Sequence, residues 1–306
     1  MKNLNLGPLG FGGASVSGEG AGYGFGAMSE AEAEVLLKSS FERGIRLFDT
    51  APIYGFGLSE ERFGRYLPKQ AFIVSKAGVD WHESKRVNMT NDPVVVERML
   101  RESLNRLKRE QIDLYMIHWP DSKVDIRKPL EVLKRFQDSS VIKYIGLCNT
   151  TQEDLLKAKE VIHVDVLQSE YNFFENKFSE LPLSDYWSMS WGTLDKGILS
   201  GRVEQGRVFD RDDCRSWAPW WDKKKTEIKI KKVSILKLIL NEIDRELLDF
   251  CLSYNLSYVD QALIGFKTIS DLDRSLESLS KRLSRDEITS VLKKYETKCR
   301  EAGLFS

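Results

Sequence analysis

The stretch "RLFDTAPIYGFGLSEERFGRYL" (residues 46–67) sets a short apolar run, Leu47 and Phe48, directly before Asp49. A loop follows that carries Tyr54 among glycines. Only Thr50, Ala51, Pro52 and Ile53 separate the carboxylate from the phenol, and neither helical nor strand periodicity explains that pairing. Taken alone, the stretch reads equally as a turn that redirects the chain or as a strand end that presents chemistry. The surrounding pattern decides between them.

Working outward, short runs rich in β-branched and aromatic residues recur along the chain. They are "LGFGGA" (9–14), "IRLFDT" (45–50), "AFIVSK" (71–76), "IDLYMIH" (112–118), "IKYIGLC" (142–148), "VDVLQSE" (164–170), "YWSMSW" (186–191) and "DQALIG" (260–265). Segments of helical period lie between them. "SEAEAEVLLKSSFERG" runs from an N-cap serine, Ser29, to Gly44, and "DPVVVERMLRESLNRLKRE" stands behind Asp92 and Pro93. "KPLEVLKRFQDSS" and "TQEDLLKAKEV" fill the next two gaps. Alternation of this kind argues for parallel strands joined by helical crossovers. About eight units predict an α/β fold, a (β/α)8 TIM barrel forming one domain over residues 1–306, with the active site at its C-terminal rim. A doubly wound sheet would need a G-x-G-x-x-G turn after the first strand, and "GFGGAS" (10–15) does not supply that order.

Composition narrows the function classes. Lysine plus arginine and aspartate plus glutamate both number 46, which gives no electrostatic case for nucleic acid or an anionic membrane as partner. With three histidines (His82, His118, His163), no metal site is expected. Cys148, Cys214, Cys251 and Cys299 form no C-x-x-C pair and read as reduced thiols of a cytoplasmic protein. The N-terminus lacks the apolar core of a secretory signal, and "SILKLIL" (234–240) is too short to span a bilayer. One segment is irregular: residues 201–225 read as a long loop with Trp217, Trp220 and Trp221, either pinned by its own aromatics or forming a pocket wall. The lysine-rich "KKKTEIKIKK" (223–232) reads as a solvated face.

In such a barrel the strand ends carry the chemistry. Strand two ends in Asp49, with Tyr54 in the next loop; strand three ends in Lys76; strand four ends in His118. Singly, these are ordinary: an aspartate capping a turn, a solvated lysine, a core histidine, a packed tyrosine. Convergence of all four on one rim points to protonation of a carbonyl oxygen. Tyrosine keeps its proton at neutral pH and can act as a general acid. A cation at Lys76 favours the phenolate, Asp49 can hold Lys76 by a buried ion pair, and His118 can orient the carbonyl. None of the four supplies electrons, so a hydride donor is required. A lysine Schiff-base aldolase is the competing enzymatic reading.

The motifs "FDTAPIYGFGLSEERFG", "FIVSKAG", "DLYMIHWPD", "IKYIGLCN" and "VLQSEYNFF" resemble the aldo-keto reductase family, in order and over nearly the whole chain. That resemblance implies an N-terminal hairpin ahead of the barrel and a nicotinamide cofactor lying extended across the rim. It implies Asp49, Tyr54 as acid, Lys76 as activator and His118 as the catalytic set. Cys148, Asn149 and Gln168 would contact the carboxamide and Trp191 would stack on the nicotinamide. Gly192, Thr193 and Leu194 would follow the pyrophosphate, and Gly265, Lys267 and Thr268 would form a second phosphate-contacting stretch. Cys148 stands where the family usually has serine, Arg274 and Ser275 replace a Glu-Asn pair, and Asp271 occupies a position often given to arginine. Lys267 argues for NADPH, and Asp271, which would repel a 2′-phosphate, keeps NADH open. Tyr23, Phe25, Trp81 and Trp119 are the expected substrate-pocket residues. The implied function is reduction of aldehyde and ketone carbonyls to alcohols, with a small-molecule carbonyl as partner. An aldose dehydrogenase of the same family and a weakly catalytic cofactor-binding sensor subunit are the alternatives, and oligomeric state stays open.

Overall fold

In the computed structural model, which describes residues 4–18, 22–178 and 180–304, each of the apolar runs becomes a strand. These are β1 (Leu9–Gly12), β2 (Leu47–Asp49), β3 (Phe72–Ala77), β4 (Ile112–Ile117), β5 (Ile142–Cys148), β6 (Val166–Asn172), β7 (Trp187–Trp191) and β8 (Gln261–Ile264). Neighbours pair in parallel around the ring: β1 joins both β2 and β8, while β7 joins both β6 and β8. The sheet therefore closes into an eight-stranded barrel with no free edge among these strands.

Side-chain parity explains what the barrel holds. Positions two apart on a strand share a face. Leu47, Phe72, Val74, Leu114, Met116, Val166, Met189 and Leu263 fill the interior as one cluster, and Phe11, Phe48, Ile73, Tyr115, Ile145 and Leu167 pack outward against the helices. The interior parity continues upward to Asp49, Lys76, His118, Cys148, Gln168, Glu170 and Trp191, so the polar layer stands directly on the apolar one. Space inside is short at Gly146, where an added Cβ would lie 2.6 Å from Met116 Cε and 2.9 Å from the Val166 carbonyl oxygen.

The helices that cover the barrel are α1 (Glu30–Glu42), α2 (Leu58–Tyr66), α3 (Pro93–Leu107), α4 (Arg127–Asp138), α5 (Gln152–Lys159), α6 (Lys223–Asn241), α7 (Leu247–Leu256), α8 (Ile269–Ser280) and α9 (Arg285–Glu301). Ser29 with Glu32 and Thr268 with Asp271 form capping boxes that start α1 and α8, and Asp92 caps α3 with Pro93 in its first turn. The helix α2 begins inside the opening stretch, only a few residues after Tyr54. The lysine-rich run is the first half of α6, and it is not wholly solvated: Lys229 Nζ reaches Asp195 Oδ2 at 2.7 Å and so ties α6 to the loop after β7. Among the described residues no helix is long and apolar enough to cross a membrane.

The expected N-terminal hairpin is not formed by the described residues. Positions 4–8 contain no strand; the Leu6 N–H turns back onto the Leu4 carbonyl at 3.0 Å, and Gly7 takes φ 73° before Pro8. Leu6 is instead buried beside Leu47, Phe72 and Leu114, plugging the barrel floor. Residues 1–3 lie outside the described residues. A short hairpin sits instead after β3, where Val79–Trp81 pairs antiparallel with Val87–Met89.

Candidate active site

Asp49 and Lys76 meet inside the barrel mouth. Both are buried, Lys76 completely, and Lys76 Nζ donates to Asp49 Oδ1 at 2.7 Å and Oδ2 at 2.8 Å. A third bond runs to the Thr50 carbonyl at 2.9 Å. An ammonium has three N–H donors, so this lysine is saturated. Lys76 therefore influences Tyr54 through its charge, 5.6 Å from the ring centroid. A Schiff-base role would require breaking all three bonds of a buried ammonium, which counts against the aldolase reading.

Tyr54 stands over that pair, edge-on to the His118 imidazole with ring centroids 6.1 Å apart. Burial pushes the Tyr54 hydroxyl well above its ordinary value, and the charge of Asp49 adds to the effect. The phenol is thus firmly protonated. His118 is driven the other way: burial first, then the neighbouring Lys76 charge, hold it well below the usual imidazole range. A neutral imidazole and a protonated phenol can both donate a hydrogen bond to one oxygen atom. Desolvation and the Asp49 charge thus outweigh any lowering of the Tyr54 pKa by the nearby Lys76 ammonium while no substrate is bound.

The next layer is a chain of amides. Gln168 Nε2 donates to Asp49 Oδ2 at 2.9 Å and its Oε1 accepts from Cys148 Sγ at 3.2 Å. Asn149, at φ 53°, donates to the His118 carbonyl at 3.0 Å and to Cys148 Sγ at 3.1 Å, and its Oδ1 accepts from Trp191 Nε1 at 3.0 Å. After these bonds Gln168 keeps one N–H and Asn149 keeps one lone pair on Oδ1. That is a matched donor and acceptor for a primary carboxamide. Beside them the backbone is bared by Gly12, Gly13, Gly192 and Gly265; a Cβ at Gly265 would come 3.0 Å from Ser15 Cβ. These features fit a nicotinamide nucleotide.

All of this opens into a cavity of about 850 Å³ across the C-terminal rim. Of the residues expected to line it, Asp49, Tyr54, His118, Asn149, Gln168, Trp191, Gly192, Thr193, Leu194, Gly265, Lys267, Tyr23, Phe25 and Trp119 do so. Lys76 lies just beneath, under Asp49. Three others lie outside the wall. Cys148 sits below Gln168, only 1% exposed, its thiol pushed up by burial. Thr268 is spent capping α8, its Oγ1 accepting from the Asp271 N–H at 3.1 Å. Trp81 packs behind Phe56, centroids 5.4 Å apart, so the hairpin offers Val79, Val87 and Met89 to the cavity instead. Lys267 also differs from expectation: its Nζ donates to the carbonyls of Ser15, Gly26 and Ala27 at 3.3, 3.1 and 3.3 Å, holding the loop after β1.

The long loop at 201–225 is a wall. Trp220 lines the cavity, Trp217 packs on Tyr23 with centroids 5.5 Å apart, and the Cys214 N–H bonds the Gly24 carbonyl at 3.0 Å. The sequence reading missed Glu170 and Lys196, an ion pair in the same wall, with Lys196 Nζ 5.6 Å from the Trp220 ring centroid. Glu170 was within reach of parity, two positions beyond Gln168 on β6. Lys196 follows a strand end in left-handed backbone (φ 56°) and had no such signal.

A family model described as the Aldo/keto reductase family matches residues 8–296. The chain is 32% identical over 197 residues to aldo-keto reductase YhdN of Bacillus subtilis (strain 168), covering 61% of this chain and 59% of that protein. It therefore matches less than two thirds of that relative's length. It is 25% identical over 267 residues to aldo-keto reductase yakc of Schizosaccharomyces pombe (strain 972 / ATCC 24843), whose name carries NADP(+), covering 82% and 78% of the two chains. Among solved structures, a glycerol dehydrogenase from Gluconobacter oxydans superposes with a TM-score of 0.80 at 25% identity, covering 95% of this chain and 92% of that one.

Proposed function

The chain belongs to the aldo/keto reductase family, and from that premise we propose that it reduces aldehyde and ketone carbonyls to alcohols with a reduced nicotinamide nucleotide. The observation that carries this reading is the position of Tyr54: a protonated phenol and a neutral imidazole flank one point above the Asp49–Lys76 pair, where a carbonyl oxygen would sit. The nucleotide, when bound, supplies the hydride. The residues do the rest. Asn149 and Gln168 would hold its carboxamide, and Trp191, fixed by its bond to Asn149, would back the ring. The His118 N–H would donate to the carbonyl oxygen and orient the substrate. Tyr54 would pass its proton to that oxygen as negative charge develops there, and Lys76 would stabilise the phenolate left behind. Apolar walls from Tyr23, Trp119, Met89 and Trp220 keep water from competing.

A small-molecule carbonyl is the partner, and four unpaired cysteines suit the reducing cytoplasm. Oxidation of polyols is the second reading, favoured by the likeness to a glycerol dehydrogenase and by the polar Glu170–Lys196 pair in the cavity wall. The test is to mix the protein with reduced nucleotide and a reactive aromatic aldehyde and follow the nicotinamide absorbance. Steady loss of that band is expected. No loss with any of a broad aldehyde and ketone panel, despite bound nucleotide, would mean that the fold is kept without the reaction.

A further inference from the structure

The nucleotide that fits beside Tyr54 must extend away from β2 and β4, since the hairpin and Trp119 close that side. Across the mouth, four strands on from β4, lie the end of β8 and the start of α8. Gly265, Lys267, Asp271, Arg274, Ser275 and the facing Arg202 line the cavity there. A helix N-terminus of this kind ordinarily offers free N–H groups to an anion. Here a carboxylate of the chain itself already stands at that end. Asp271 Oδ2 accepts from the Lys267 N–H at 3.2 Å and the Thr268 N–H at 3.1 Å, and its other oxygen pairs with Arg202.

The cations around this point are likewise engaged. Lys267 spends its three N–H donors on the carbonyls of Ser15, Gly26 and Ala27, and Arg274 pairs with Glu246 at 3.1 Å. The chain has thus put its own carboxylate where a phosphate would bind. A 2′-phosphate would have to displace Asp271 or accept its repulsion. A ribose hydroxyl needs no displacement, because a carboxylate has about four lone-pair sites and three are used, leaving one to accept a charge-assisted hydrogen bond.

We infer that Asp271, held by Arg202 and by the backbone N–H groups of Lys267 and Thr268 just before α8, selects the unphosphorylated adenosine ribose, so that this protein takes NADH in preference to NADPH. The inference rests on the nicotinamide-dependent reading above and reverses the cofactor expected from Lys267 alone. Both nucleotides can be titrated against the full chain by quenching of tryptophan fluorescence, since Trp119, Trp191 and Trp220 line the cavity. NADH should bind about tenfold or more tighter than NADPH. Asp271→Asn, which keeps the shape and removes the charge, should bring the two constants to within about threefold, chiefly by strengthening NADPH. Lys267→Met should weaken both nucleotides by the same factor, because it acts through the loop after β1. Tighter binding of NADPH by the wild type would overturn the inference while leaving the reductase reading intact. So would a Lys267→Met effect confined to NADPH, a result that needs no Asp271 variant to fold. Failure of both nucleotides to bind would overturn the inference and the reductase reading together.

Discussion

At the scale of single residues, charge in the site is arranged by burial more than by proximity. The Lys76 ammonium is satisfied by Asp49 and Thr50, so it acts on Tyr54 as a fixed field and not as a donor. His118 shows the same logic with a measurable consequence. Its imidazole is neutral in the folded protein, held well below the usual range by burial and by Lys76. In the unfolded chain it takes up a proton near pH 6.5. Between those two values the unfolded state holds more protons, so stability present above about pH 6.5 is lost as the pH falls. The urea midpoint should therefore drop further between about pH 7.5 and 5 in the wild type than in His118→Gln. Equal drops would mean that the imidazole is not buried neutral. Asp49, Lys76 and His118 were legible in the sequence because each ends an apolar run at the parity of the interior. The true engagement of Lys267 was not, since its three carbonyl partners at Ser15, Gly26 and Ala27 lie more than two hundred positions away.

At the scale of elements, strands were easier to read than the pieces between them. All eight strands follow from apolar runs, because an interior residue and a helix-facing residue must alternate in a closed parallel barrel. The hairpin at Val79–Trp81 and Val87–Met89 left a weaker pattern, its faces being only half buried. Trp81 was accordingly placed in the pocket, whereas packing on Phe56 draws it behind the wall. Cys148 fell on the correct strand, yet its position beneath Gln168 depends on a contact between β5 and β6 that no local signal carries. The barrel interior itself is a test of packing. Gly146→Ala would press a methyl group against Met116 Cε and the Val166 carbonyl. Overpacking of this sort costs about 1–3 kcal/mol, which a denaturant titration would read directly. An unchanged midpoint would show slack between β4, β5 and β6 that the close approach denies.

At the scale of the whole molecule, the barrel supplies a rigid ring and the loops turn it into a chamber. The polar layer of the interior faces a cavity about 850 Å³ in volume, closed on one side by the hairpin and on the other by the long loop packed on Tyr23. On the proposed reading such a chamber would exclude water from a carbonyl between Tyr54 and His118, and Tyr54, with Lys76 stabilising the phenolate left behind, would be the one to give up a proton. The decisive comparison is Tyr54→Phe, with turnover measured by loss of the nicotinamide absorbance and nucleotide affinity measured by tryptophan quenching. Turnover should fall by about 10²–10⁴-fold while nucleotide affinity stays at the wild-type value. Turnover within a few-fold of wild type, with the nucleotide bound as tightly as before, would contradict the assignment of the proton to Tyr54.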